Sequence, residues 1–188
     1  MKTENEEKNE EDEIVAYGFS RLRTDACILV VVSLIGILWG NPIEYFLFFI
    51  SFSILRCYAG GYHADNKITC WLISIILLMF IGGLLKSYEK YTFIIEFSYV
   101  ISLFIIMIFV PVDSKNRHLD TYEKKEYRIK ALAIVAIEAV IILIVGNYGL
   151  KEIKAAIMLG NSLSASLVMA GIVKNSYESL RKNEKSIV

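Results

Sequence analysis

Apolar positions along this chain run together in six blocks, at about 26–39, 43–55, 70–85, 93–110, 129–146 and 153–173, and polar positions gather between and around them. A helix needs about 20 apolar residues to cross a hydrocarbon core about 30 Å thick. The last three blocks approach that length. The first three are shorter and need tilt, a locally thinned bilayer or flanking polar residues to complete the crossing. The pattern predicts an all-α, polytopic membrane helical bundle with about six transmembrane helices. Asn41 and Pro42 separate the first two blocks, because proline cannot continue a helix and biases the residue before it out of the helical region. Ahead of the first block, residues 14–24 set Val15, Phe19 and Leu22 at helical spacing against Ser20, Arg21 and Arg23. That spacing suits an interfacial helix, and a fraying extension of the first span fits it equally.

Composition agrees with the blocks. The chain has 188 residues, 55% of them hydrophobic, with two prolines and a mean hydropathy of +0.50, too apolar for an ordinary soluble domain of this size. Residues 1–13 carry Glu4, Glu6, Glu7, Glu10, Glu11, Asp12 and Glu13. Such a segment has little to bury and is expected to be disordered, and its acidity argues against a cleavable signal peptide. The expected organisation is an acidic tail at 1–13, a single membrane domain at 14–173 and a second tail at 174–188.

Lysine and arginine then orient the bundle. If the N-terminus is cytoplasmic, 16 of the 20 basic residues fall on inner segments, and only Lys86, Lys90, Lys151 and Lys154 lie outside. Basic residues favour the cytoplasmic side of short loops. Both termini and the connection between the second and third blocks are therefore expected inside.

That connection holds the candidate chemistry. It reads Arg56-Cys57-Tyr58-Ala59-Gly60-Gly61-Tyr62-His63-Ala64-Asp65-Asn66-Lys67-Ile68-Thr69-Cys70, and the only other histidine is His118. A zinc site from Cys57, His63 and Cys70 lacks a fourth ligand and a familiar spacing, so no metal or cofactor is expected. Three cysteines facing a reducing compartment make no disulfide framework. Cys27, inside the first block, is most simply a small buried apolar residue. Cys70 stands near the start of a helix, where unpaired N–H groups favour a thiolate. Asp65, Asn66 or Thr69 could each cap that helix. A continuous helix would hold His63 and Cys70 about 10.5 Å apart along its axis, too far for proton transfer. Pairing them requires the intervening chain to fold back, and Gly60-Gly61 supplies the freedom for a turn.

Arg56-x3-Gly60-Gly61-Tyr62-His63-Ala64 with Cys70 beyond it resembles the accessory gene regulator B family, membrane-embedded cysteine peptidases of Gram-positive quorum sensing. Pro111-Val112-Asp113 and the basic segment to His118 are similar to the loop after that family's fourth span. The resemblance implies a Cys70–His63 dyad, supporting roles for Arg56 and Gly61, and a homodimer. It also implies a propeptide substrate with an amphipathic leader, a central signal segment and a charged, acidic tail. In the implied reaction the Cys70 thiolate displaces the tail to form a thioester, which a cysteine of the signal segment then captures as a cyclic thiolactone.

The residues leave several roles open. Arg56 suits the propeptide's acidic tail, a lipid phosphate or a plain interfacial anchor. Asp65 is a third member of the site or an exposed cap. Residues 115–130 form a solvated basic loop or a dock for an anionic tail. Tyr45, Phe46, Phe48, Phe49 and Phe52 face lipid or pack. Membrane lipids are expected partners and nucleic acid is not. The alternative class is a non-enzymatic small transporter or scaffold, for which Glu138 in the fifth block would suit a proton or ion path. A structural role competes with that one. Glu138 and Asn161 should lie at similar depth, where small residues at Gly160, Ser162, Ser164, Ala165 and Ser166 let the sixth helix approach, so a Glu138–Asn161 hydrogen bond is expected.

Overall fold

A computed structural model describes residues 28–62, 67–112 and 120–187, with the backbone alone at 67–71, 179 and 181–187. The expected acidic tail, the interfacial helix at 14–24, His63, Asp65 and the basic segment to His118 lie outside the described residues. The architecture is an all-α membrane bundle. Its helices are α1 (Ile28–Trp39), α2 (Pro42–Ala59), α3 (Lys67–Lys86), α4 (Tyr88–Phe109), α5 (Thr121–Asn147) and α6 (Lys151–Ile187). Among the described residues, four stretches are long and apolar enough to cross a membrane: Pro42–Ala59, Tyr88–Phe109, Thr121–Asn147 and Lys151–Glu178. The fully described parts of α1 and α3, Ile28–Trp39 and Leu72–Lys86, are shorter. With its backbone-only residues included, α3 has 20 described residues, which at 1.5 Å each reach about 30 Å.

α2 and α5 outrun their apolar blocks at both ends and α4 outruns its own at the start, because backbone hydrogen bonding continues where hydropathy stops. Pro42 sits in the first turn of α2, where its missing N–H costs nothing. The C-terminal end of α2 extends to Ala59, so Arg56 and Cys57 lie in its last turn instead of in a loop. α3 and α4 are separated by Ser87 alone, and the outer loop expected between the third and fourth blocks is helical. Residues 121–130, read as loop, form the first turns of α5. Asp120 accepts from the Thr121 N–H at 2.7 Å while the Glu123 carboxylate accepts from the Asp120 N–H at 3.1 Å, a reciprocal cap that starts the helix well before the apolar residues. The C-terminal tail from 174 continues α6 as helix to Ile187.

α6 is the axis of the bundle. Residues 155–161 are buried on all sides, and α2, α3, α4 and α5 all pack against this helix. The neighbours turn one stripe each inward: Tyr45, Phe48, Ser51, Leu55 and Ala59 of α2, Ile95, Tyr99, Ser102 and Ile106 of α4, and Ala131, Val135, Glu138 and Ile142 of α5. These stripes follow the i, i+3, i+4 spacing of a helical face. Phe93, Phe97, Phe104 and Ile108 of α4 point outward, as lipid-facing side chains do. Tyr45 and Phe48 are core, and Phe46 is exposed.

Where α2 crosses α6 the backbones nearly touch. A Cβ on Gly160 would lie 2.8 Å from Ser51 Oγ and 3.0 Å from the Phe48 carbonyl, the close approach small residues allow between membrane helices. The Asn161 amide donates to Glu138 Oε2 at 2.9 Å, with both residues buried, so the bond expected between the fifth and sixth spans is present. Tyr45 ties α2 to α3 by donating to the Leu78 carbonyl at 2.9 Å.

Candidate active site

The chain leaving α2 is held by three neighbours within three residues. Gly60 adopts φ 70 and ψ −150, a conformation open essentially to glycine alone, and Gly61 follows at φ 110. Both values agree with the turn expected from the glycine pair. Ala59 accepts from the Val112 N–H at 3.0 Å, and Gly60 and Val112 form an isolated parallel bridge. A Cβ at Gly60 would strike the Val112 carbonyl oxygen. One residue on, a Cβ at Gly61 would lie 2.5 Å from Arg56 Nη1 and 2.7 Å from the Leu167 carbonyl. The Tyr62 N–H then donates to that same Leu167 oxygen at 2.8 Å. The pair of glycines therefore does more than turn the chain: it lets bare backbone lie against α6 and against the segment after α4.

Arg56 works inside this turn. Its two terminal nitrogens donate to the carbonyls of Gly60 and Tyr62. One planar guanidinium thus bridges two carbonyls that have left the helix, a geometry that a lysine ammonium does not reproduce. The sequence left Arg56 to an external anion, the membrane interface or, by resemblance, support of the site; the structure gives its guanidinium an internal task in shaping the loop.

Tyr62 is gripped at three points. Leu167 takes its N–H, Arg56 reaches its carbonyl, and Lys174 Nζ sits 5.1 Å from the centre of its ring, within cation–π range. His63 and Asp65 follow outside the described residues. The chain returns in α3, which is helical from Lys67 onward. Tyr62 lies outside that helix and residue 67 within it, so position 70 stands near its start, and a start at Thr69 is excluded. Cys57 is exposed on the last turn of α2, and among the described residues no group of His, Cys, Asp and Glu is arranged to hold a metal ion.

A small core supports the loop. Leu55 and Ala59 pack with Ile106, Val110 and Val112, with Ala131 and Val135 of α5, and with Ala165 and Val168 of α6. Arg128 at the same end donates to the Met107 carbonyl at 2.9 Å, satisfying one of the acceptors that the end of α4 leaves free. Sequence reasoning missed Leu167, Gly171 and Lys174 as neighbours of the loop. Gly171 continues the run of small residues on α6, and that continuation was the available signal. Lys174 gave none, since a basic residue after a membrane span has an interfacial explanation already.

Comparison with known proteins finds a family model described as Accessory gene regulator B matching residues 1–170. An AgrB-like protein of Clostridium perfringens strain SM101 is 35% identical over 168 residues, covering 81% of this chain and 78% of its own. A second AgrB-like protein, from Clostridium perfringens strain 13, is 36% identical over 129 residues, covering 65% and 60%. An AgrB-like protein of Halalkalibacterium halodurans is 27% identical over 138 residues, covering 72% and 68%. No solved structure matches the chain.

Proposed function

The chain belongs to the accessory gene regulator B family, and from that premise we propose that it is a membrane-embedded cysteine endopeptidase that processes a quorum-sensing propeptide. Cys70 is the nucleophile and His63 the base. The observation that carries this reading is the clamped turn at Gly60–Tyr62, which fixes the backbone on one side of His63, together with a helix that starts between Tyr62 and residue 70 on the other. A fixed approach and a helix N-terminus are what a Cys–His pair needs: one aims the imidazole and the other favours the thiolate.

In the proposed reaction His63 takes the Cys70 proton, and the thiolate attacks the carbonyl that joins the signal segment to its acidic tail. The C–N bond breaks, His63 returns the proton to the leaving amine, and a thioester remains on Cys70. A thiol within the signal segment then gives its proton to His63 and attacks that thioester. The Cys70 thiolate leaves, and a cyclic thiolactone is released. Water is the competing acceptor. Holding the peptide thiol close, where effective molarities for oriented groups reach about 10⁵–10⁸ M, lets cyclisation outrun hydrolysis. A site at the membrane boundary also limits access of water.

The proposal includes a cytoplasmic site, both termini inside and a homodimer seated in lipid. Co-expression with a propeptide having an amphipathic leader, a central cysteine and an acidic tail tests it by mass spectrometry. Cyclic product is expected from the unaltered protein and from Cys27→Ala and Cys57→Ala, and none from Cys70→Ala or His63→Gln. Linear product alone would indicate a peptidase without cyclisation, and processing by Cys70→Ala would remove the mechanism. Impermeant thiol reagents should reach cysteines placed at Ser87 or Gly149 from outside intact cells, and one at Asn116 only after permeabilisation. External labelling at Asn116 would invert the topology.

A further inference from the structure

Three contacts between α6 and the turn after α2 converge on the residue covalently joined to His63. A Cβ on Gly171 would lie 2.7 Å from Gly61 Cα and 2.7 Å from the Tyr62 nitrogen, distances real Cβ atoms do not show against backbone. Only a bare α-carbon at 171 lets the Tyr62 N–H reach the Leu167 carbonyl at 2.8 Å. One helical turn along, Lys174 places its ammonium 5.1 Å from the centre of the Tyr62 ring. Arg56 already holds the opposite end of the Tyr62 residue at its carbonyl. Tyr62 is thereby fixed at its N–H, its carbonyl and its ring, and two of these three restraints come from α6, more than a hundred residues away in sequence.

We propose that Gly171 and Lys174 are positioning residues for the Cys70–His63 chemistry, seating Tyr62 so that the next residue presents its imidazole to the thiol. This rests on the dyad proposed above and adds to it a dependence on the cytoplasmic end of α6. Neither residue touches the reacting atoms, so both act through the backbone of Tyr62. Fixing that backbone matters because displacement of a reacting group by about 1 Å can cost about 10²-fold in rate. It also has a signature that simple destabilisation lacks. A thiol paired with an imidazole is reactive well below the ordinary thiol pKa of about 8.5, and loss of the pairing returns its reactivity profile toward that value.

The test uses full-length protein carrying Cys27→Ala and Cys57→Ala, so that Cys70 is the sole thiol. Its alkylation by iodoacetamide is followed against pH, alongside steady-state processing of propeptide and thermal stability in detergent. Gly171→Ala is expected to lower kcat by about 10- to 100-fold with KM within about twofold, and to move the alkylation profile upward toward that of His63→Gln. A Gly171→Ala protein with an unshifted profile overturns the proposal, whether its kcat is normal or falls together with its melting temperature. If Gly171→Ala does not accumulate as folded protein, Lys174→Gln decides. A smaller upward shift of the profile supports the proposal, and a profile identical to that of the parent overturns it. Failure of the dyad itself looks different: the parent protein would alkylate as an ordinary thiol, and His63→Gln would leave that profile unmoved.

Discussion

The two ends of the bundle use the same residue for different purposes. At one end Gly40 and Gly149 adopt φ 80 and φ 76, and a Cβ at either would meet nothing within 4 Å. Their turns close on sequence neighbours: Gly40 donates to Ile37, Asn41 to Gly36 and Gly149 to Gly146. At the other end Gly60 and Gly61 also have positive φ, but a Cβ there would run into Val112, Arg56 and Leu167, and the hydrogen bonds of that turn reach α6 and the segment after α4. The first pair needs glycine for the shape of a turn, and the second needs it for shape and for proximity. Proximity is the feature of a site, because it couples one short loop to three separate parts of the fold.

Substitutions that separate these two demands should rank accordingly. Gly60→Ala combines a backbone region closed to alanine with a collision against the Val112 carbonyl, and is expected to reduce propeptide processing by about 10²-fold or more through displacement of the loop. Processing within twofold of the parent would show that the loop does not set the site. Arg56→Lys should follow, with a loss of about tenfold, since one ammonium cannot bridge the Gly60 and Tyr62 carbonyls in the plane that a guanidinium spans. Equal activity in that variant would mean that charge alone suffices at position 56. Glu138→Leu lies between the two ends. It should leave chemistry intact and lower stability in detergent by about 0.6–2 kcal/mol, the range for one hydrogen bond between membrane helices. Glu138→Gln keeps a partner for Asn161 and should be near neutral in both assays; lost activity with unchanged stability would point to a proton or ion path instead. Gly149→Ala should leave processing unaltered and cost about 1–2 kcal/mol of backbone strain. An activity loss matching that of Gly60→Ala would erase the distinction between the ends.

Much of this arrangement was legible in the chain. The apolar blocks located the helical spans, and the depth of Glu138 and Asn161 within them was enough to pair two side chains that meet at 2.9 Å. Gly60-Gly61 announced a turn. Helix ends were less legible, since hydropathy reports where water is excluded and not where backbone hydrogen bonds stop. Arg56 at the end of α2 and the capped start of α5 at Asp120 both fall in that gap. The least legible feature was the clamp on Tyr62. It is built from the carbonyl of Leu167 and the missing side chain of Gly171, and neither a carbonyl nor an absent Cβ carries a sequence signature that names its distant partner. The orientation of α2 around its axis was hidden for a similar reason: with apolar residues on every side, nothing local tells Tyr45 and Phe48 from Phe46.

The central claim is a covalent intermediate on Cys70, and the intact mass of the protein tests it most directly. Co-expression with a propeptide whose internal cysteine is replaced by alanine removes the intramolecular acceptor, so the thioester must wait for water. A mass increase equal to the leader plus signal segment is expected, mapping to the peptide that contains Cys70, discharged by hydroxylamine and absent from Cys70→Ala. Loss of the propeptide's acidic tail with no adduct at any time, and equally in Cys70→Ala, would contradict the account.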